Sequence, residues 1–257
     1  MITFKKLGKY GWLGNQMFQF AFLYHVGKKK NIQIGFDFKY NSLLAKMFKL
    51  PAENSDDIKQ NTLFLQTDNS ETIDASLIND GTDILGYFQN VDYIKENEYD
   101  LRNIFTFDKE KHNTCINFIK KLKEEKNKEL VAIHVRRGDY LHPIAKHIHY
   151  VCDENYFQRA VNFFGPNYFY VIFTDDKLWC SHVFKQVPNI IMNNDPEIDF
   201  ILMSLCDHNI ISNSSYSWWA SWINENLDKK IVAPNKWYNI PPFKNWEKIY
   251  RNDMFLI

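Results

Sequence analysis

The residues best suited to chemistry are His134-Val135-Arg136-Arg137-Gly138-Asp139-Tyr140, which follow directly on the apolar run Leu130–Val135. Ligands of open parallel sheets bind outside the carboxyl ends of the strands. Two adjacent arginines at such a strand end are costly unless an anion meets them. The guanidinium fork matches phosphate oxygens in pairs and keeps its charge at any physiological pH. A diphosphate leaving group needs such countercharge where no metal supplies it. The plainer alternative is a surface ion pair of Arg136 or Arg137 with Asp139. A second constellation is Ser212-Asn213-Ser214-Ser215-Tyr216-Ser217-Trp218-Trp219, with small hydroxyl residues between a strand and a helix. Open N–H groups at a helix start bind phosphate, and serine hydroxyls add donors. An N-cap alone would also explain these serines, and the two tryptophans read as core.

Two further segments are less specific. Gly11-Trp12-Leu13-Gly14-Asn15-Gln16 is a glycine loop opening a helix, without the G-x-G-x-x-G spacing of a dinucleotide fingerprint. Its glycines permit close backbone approach, while Asn15 reads first as a helix cap. Thr174-Asp175-Asp176 ends another apolar run and suits either a base or ribose edge or a second cap. The sequence has no D-x-D tripeptide for a metal-bound diphosphate, no G-x-x-x-x-G-K-[ST] loop and no G-x-S-x-G elbow. His142, His147 and His149 cluster without a matching cysteine or helical i, i+4 pair, so no metal site is expected and a mobile loop over the site is.

The elements that must hold these groups follow an alternating pattern. Ile2–Leu7 and Ile32–Phe36 read as strands around a helix from Asn15 that ends at Lys28-Lys29-Lys30. Ile84–Phe88 reads as a buried strand, and Phe107–Lys128 as a charged helix with Cys115, Ile116, Ile119 and Leu122 as its apolar stripe. From Leu130 onward, strands at 130–135, 169–173, 190–192, 209–211 and 230–233 alternate with helices at 154–164, 178–184, 196–205 and 215–226. Asp153 and Asp195-Pro196 supply helix starts. Alternation implies parallel sheets covered on both faces. The expectation is an α/β chain of two Rossmann-like domains facing each other, 1–127 and 128–257, with 40–83 unassigned.

Composition narrows the class. The chain has 257 residues, 45% hydrophobic and 16% aromatic, with a formal net charge of zero. That balance argues against a nucleic-acid partner. No apolar stretch approaches the roughly 20 residues of a membrane span, and no secretory signal is read at the N-terminus. The four cysteines are widely spaced and read as reduced thiols in a cytoplasmic chain.

Six segments together resemble glycosyltransferase family 11, the α-1,2-fucosyltransferases, of bacterial type. GWLGNQMFQFA (Gly11–Ala21) is similar to the family's G-G-L-G-N-Q-x-F-Q-Y-A, and LGYFQNVDY (Leu85–Tyr93) to its G-Y-F-Q-S-x-x-Y. HVRRGDY resembles H-x-R-R-x-D-Y, and Leu202–Trp222 resembles L-M-S-x-C-x-H-x-I-x-x-N-S-[ST]-[FY]-S-W-W. Phe173–Asp176 and Ala233–Tyr238 fit F-[ST]-D-D and A-P-x-x-W-[FY]. The resemblance implies a GT-B fold, GDP-β-L-fucose as donor without a metal cofactor, inversion, and a terminal β-galactoside whose 2-hydroxyl attacks. It implies that Arg136 holds the diphosphate, with Arg137 supporting it. His134 and Asp139 would line the donor pocket. Asn213, Ser214 and Ser215 would lie near the phosphates, and Asp175 or Asp176 near the nucleoside. Gly14, Asn15 and Gln16 would face them from the first domain, Asn15 being counted with Arg136 and Asp139 among the groups that act on the reaction. The acceptor would be a galactose-terminated oligosaccharide or lipid-linked glycan, handled in a bacterial cytoplasm or at the inner face of the inner membrane.

Two departures mark this chain. Trp12 replaces the family's second glycine, and the chain is short, with the deficit expected between Tyr40 and Asp83. A transition state resembling an oxocarbenium ion would be served by Arg136, Arg137 and the helix start at Ser214, with Asp139 as candidate base. The alternatives are a GT-B transferase with another donor or acceptor, and a non-catalytic carbohydrate- or nucleotide-binding module.

Overall fold

The computed structural model describes residues 1–37, 43–60, 62–66, 72–240 and 246–257. They divide into two units, Met1–Phe107 with Phe243–Arg251 and Asp108–Pro242 with Asn252–Ile257.

The first unit carries a parallel sheet of β1 (Ile2–Phe4), β2 (Ile34–Phe36), β3 (Glu53–Asn54), β4 (Thr62–Leu65) and β5 (Thr82–Leu85). Their order across the sheet is β3-β2-β1-β5-β4. The chain steps outward from β1 to β3 and then returns to the opposite side, so strand order reverses between β1 and β5. The loops after these two strands part there, opening the crevice in which such sheets hold ligands. Helix α1 (Leu13–Lys30) is apolar around most of its circumference and is buried accordingly. It ends in a left-handed Asn31 at φ 52°, with Lys28, Lys29 and Lys30 against its negative end. The core of the unit is rich in rings: Phe22 stacks on Phe88 at 4.0 Å and meets Tyr93 edge-on at 4.7 Å. Phe88 holds a left-handed φ of 52°, a strained state for a bulky residue. That stack, and an N–H bond to Gln66 Oε1 at 2.8 Å, keep it there. Short helices α2 (Leu43–Met47), α3 (Val91–Lys95) and α4 (Glu98–Ile104) complete the unit.

The second unit has β6 (Leu130–Val135), β7 (Phe169–Thr174), β8 (Asn189–Ile191), β9 (His208–Ile210), β10 (Ile231–Ala233) and β11 (Met254–Leu256), all parallel, in the order β11-β10-β9-β6-β7-β8. β6 is buried throughout, as expected of an unbroken apolar run at the centre of a sheet covered on both faces. Val131, Ile133, Tyr156, Phe157 and Ile172 form the heart of its core. The helices are α5 (Lys109–Lys126), α6 (Pro143–Ile148), α7 (Glu154–Phe164), α8 (Lys177–Val183), α9 (Pro196–Leu205) and α10 (Ser215–Ile223). Here the strand order reverses between β6 and β9.

Several sequence expectations shift. The predicted boundary at 127/128 moves to 107/108. The buried stripe Cys115, Ile119 and Leu122 packs α5 on α9, and Lys111–Glu197 (2.8 Å) and Lys123–Asp207 (2.6 Å) tie the helix to the second unit. The strand expected at Ile84–Phe88 is β5, two residues earlier, because Gly86 opens the turn that carries Phe88. The expected mobile loop at 142–149 contains α6, held by Asn239 bonds to the carbonyls of Lys146 and His149 and by a bridge between His149 and Tyr238. β11 was unforeseen. Of the unassigned stretch, residues 40–42, 61 and 67–71 lie outside the described residues, and α2, β3 and β4 occupy much of the rest.

Candidate active site

The site forms at the switch point of the second unit. Ser212, after β9, donates its hydroxyl to the His134 carbonyl at 2.7 Å and accepts the Arg136 N–H at 3.2 Å. This one hydroxyl pins the carboxyl ends of β6 and β9 together and fixes where the Arg136 backbone leaves the sheet. The Arg136 guanidinium lies between two carboxylates, bonding Asp139 at 2.9 Å and pairing with Asp175 at 3.3 Å. Asp175 also accepts the Arg137 N–H at 2.8 Å. Gly138 lets the turn approach it, since an added Cβ would stand 3.0 Å from the Asp175 carboxylate. The expected surface ion pair of Arg136 with Asp139 is thus present, inside a larger arrangement.

Arg137 has a different setting. Its guanidinium lies 4.1 Å from the Trp179 ring centre and its Nε donates to Asp176 at 3.1 Å. Cation–π stacking and a charge-assisted bond fix the side chain on α8. Asp176 also accepts the Trp179 N–H at 3.1 Å and so caps α8. Of the two sequence readings of Thr174-Asp175-Asp176, the cap holds for Asp176, while Asp175 belongs to the arginine cluster.

The serine loop completes the strand end. Ser214 is the N-cap of α10 but makes no side-chain cap bond, and the first turn contains no acidic residue. The positive end of α10 is left without a carboxylate from its own first turn. Asn213, expected near phosphate, is fully buried and donates to the carbonyls of Tyr150 and Trp237, each at 2.7 Å. Its side chain ties the loop to these two segments. Tyr140 donates to the Asn213 carbonyl at 3.2 Å and stacks on His149 at 4.7 Å. His149 is thereby placed as a packing residue, and among the described residues no group of three His, Cys, Asp or Glu side chains is arranged to hold a metal. Trp218 and Trp219 are core, as read.

Two titratable groups stand out. His134 is buried, and that burial, with Arg136 nearby, lowers its pKa to about 3, so the imidazole is neutral at neutral pH. Its Nδ1 has no hydrogen-bond partner. Asp199, in the first turn of α9, is raised to about 6, chiefly by burial. Asn194 donates to it at 2.9 Å, Lys177 lies near enough to lower its pKa, and its charge acts on Tyr216 of α10. It therefore lies near the starts of α8 and α10. Nothing in the sequence distinguishes it from an ordinary first-turn acid.

In the first unit the glycine loop is clamped from below. Gln16 donates to the Gly11 carbonyl at 3.1 Å and accepts the Leu44 N–H at 3.3 Å. Gln19 donates to the carbonyls of Tyr10 and Gly86 at 3.3 and 3.1 Å. Gly14 and Gln16, expected to face the donor, are buried in the first unit, where the Gln16 side chain braces the loop. The N-cap of α1 is Trp12, not Asn15, whose side chain accepts from Gln89 at 2.8 Å.

Residues 5–257 match the profile of glycosyl transferase family 11. The chain belongs to glycosyl transferase family 11. This family 11 chain is 30% identical to an α-1,2-colitosyltransferase of Escherichia coli, over 89% of the chain and 90% of that protein. It is 33% identical to the O-antigen biosynthesis glycosyltransferase WbnK of Escherichia coli, over 63% of the chain, and spans 57% of WbnK's length. A galactoside α-(1,2)-fucosyltransferase 2 of Pongo pygmaeus is 25% identical, over 83% of the chain and 67% of that protein. Among solved structures, a family 9 glycosyl transferase of Veillonella parvula superposes with a TM-score of 0.55 at 11% identity, over 100% of the chain and 84% of its own. POFUT1 in complex with GDP gives 0.53 at 11% identity, over 90% and 97%. The fold is GT-B-like, two parallel sheets with helices, as the sequence resemblance implied. Among the described residues no helix is long and apolar enough to cross a membrane.

Proposed function

We propose that this family 11 chain transfers L-fucose from GDP-β-L-fucose to the 2-hydroxyl of a galactoside, inverting the anomeric centre and using no metal ion. The observation that carries this reading is Arg136, fixed at the β6–β9 switch point beside the start of α10. As the sugar–oxygen bond breaks, negative charge grows on the departing diphosphate. Fixed donors aimed at developing charge stabilise the transition state without reorganising. Arg136 supplies the formal charge, and the N-terminal end of α10, with no acidic residue in its first turn, supplies a dipole. Arg137, already stacked on Trp179, holds the turn in shape. Asp175 is bound by two groups and positions Arg136. Asp139 has one such bond and a side chain 55% exposed, so it is the carboxylate able to take the acceptor's proton. The neutral His134 adds no charge to the pocket floor. Asp199 is suited to the nucleobase, because guanine presents adjacent N–H donors and the carboxylate offers two acceptors.

The similarity to the named fucosyltransferases supports the donor and the galactoside. The similarity to the colitosyltransferase favours a second reading, a colitosyl donor, which lacks only the 3-hydroxyl of fucose. The name of WbnK supports a part in bacterial O-antigen biosynthesis, and with it we propose a galactose-terminated oligosaccharide or lipid-linked glycan as acceptor, handled on the cytoplasmic side of the inner membrane. The experiment is a panel of GDP-fucose, GDP-colitose, GDP-mannose and UDP-galactose against β-galactoside acceptors, with the product linkage read by NMR. An α-1,2-fucosyl product is expected; preference for GDP-colitose would select the second reading, and transfer only from the uridine sugar would overturn both.

A further inference from the structure

The first unit has a switch point of its own, between β1 and β5, and what projects there is an indole. Trp12 is 76% exposed, whereas the other six tryptophans of the chain are buried or half-buried. An exposed tryptophan is unfavourable to leave in water, since burial of a large apolar side chain is favourable. Trp12 is also not on a floppy tip. Its carbonyl accepts the Gln16 N–H at 3.1 Å as the first bond of α1. The two residues that precede it are gripped through their carbonyls, Gly11 by Gln16 and Tyr10 by the buried Gln19. Gly11 sits at φ 79°, where an added Cβ would collide with the Asn15 side chain. The loop is thus locked into presenting the ring outward.

Polar groups surround it. The amide of Gln89, from the loop after β5, bonds Asn15 one helical turn from the indole. Beneath them, on either side of Gly86, Gln19 Oε1 and Gln66 Nε2 are buried without a hydrogen-bond partner, although Gln66 Oε1 accepts two backbone N–H groups. A rigid apolar face with amides at its edge matches a pyranose, which has one face of C–H groups and a rim of hydroxyls.

We propose that Trp12 is the stacking platform for the acceptor sugar and sets acceptor preference. The identity of that sugar as a galactoside rests on the function proposed above; the platform itself rests on the loop. The fixed indole loses little conformational entropy on binding, which favours affinity over an equally exposed but mobile ring.

Two measurements test this in the full-length protein. In the first, Trp12→Ala raises the acceptor KM by roughly five- to tenfold while the donor KM stays within about twofold, and Trp12→Phe recovers most of the loss. In the second, N-bromosuccinimide oxidises Trp12, followed by mass spectrometry of the peptide. A saturating β-galactoside slows this oxidation and GDP alone does not, a readout that needs no turnover. Protection by a different glycan, with none from galactosides, keeps the platform and overturns the galactoside acceptor. Unchanged acceptor KM in Trp12→Ala, or equal oxidation with every sugar tried, overturns the platform itself.

Discussion

Asp199 shows how much stability the second unit gives up at a single residue to hold a partly buried carboxylate. An ordinary aspartate titrates near 4, and burial has raised this one to about 6. Between those values the folded protein binds more protons than the unfolded chain. Stability from this group is therefore fullest below about pH 4, falls as pH rises toward 6, and stays low above it. Asp199→Asn removes the penalty, and at pH 7 the free protein gains about 1–2 kcal/mol in urea denaturation after discounting for partial exposure. If the carboxylate receives the base, the same variant loses GDP affinity about tenfold. Wild-type affinity then weakens as pH drops through 6, while that of the variant stays flat over this range. Calorimetric titration from pH 5 to 8 checks this, and a variant that is stabilised yet binds GDP with wild-type affinity and pH dependence removes Asp199 from the site.

At the scale of elements, the loops depend on a few buried amides. Asn213 is buried and donates to two carbonyls from segments distant in sequence, Tyr150 and Trp237. Asn213→Ala removes both of these bonds, so a loss of about 1–3 kcal/mol is expected in thermal or urea unfolding. A change under about 0.5 kcal/mol would mean that the carbonyls find other donors. Gly11→Ala meets both a left-handed backbone and a collision, and is expected to cost about 1–2 kcal/mol and to weaken acceptor binding more than donor binding.

These elements also show what could be read in advance. β6, β7 and α7 were legible because long apolar runs, helical spacing and the Asp153 cap agree. α2, β3 and β4 were not, since elements of two to five residues show no period. The arginine and serine strand ends were legible from position. Asp199 was not, because its meaning comes from burial beside α8 and α10, and neither was the Arg137 stack, because Trp179 is 42 residues away in the chain.

At the scale of the molecule, both sheets are parallel and each has a switch point, with different equipment. The switch point of the second unit has guanidinium, carboxylates and a helix start with no acidic residue in its first turn, and that of the first has amides and an exposed indole. The division predicts a division of ligands. In hydrogen-exchange mass spectrometry, GDP is expected to protect residues 136–142, 174–179 and 212–218, and the acceptor sugar residues 8–16 and 86–90. Protection by GDP confined to the first unit would reverse the assignment. The whole account turns on a protein cation, rather than a metal, meeting the leaving diphosphate. The direct measurement is the turnover of Arg136→Ala against wild type, both in EDTA, with folding followed by circular dichroism. The expected result is an undiminished wild-type rate and a fall of about 10²–10³-fold in a folded variant; a folded variant that keeps the wild-type rate, or a wild type silenced by EDTA and revived by Mg²⁺ or Mn²⁺, would contradict it.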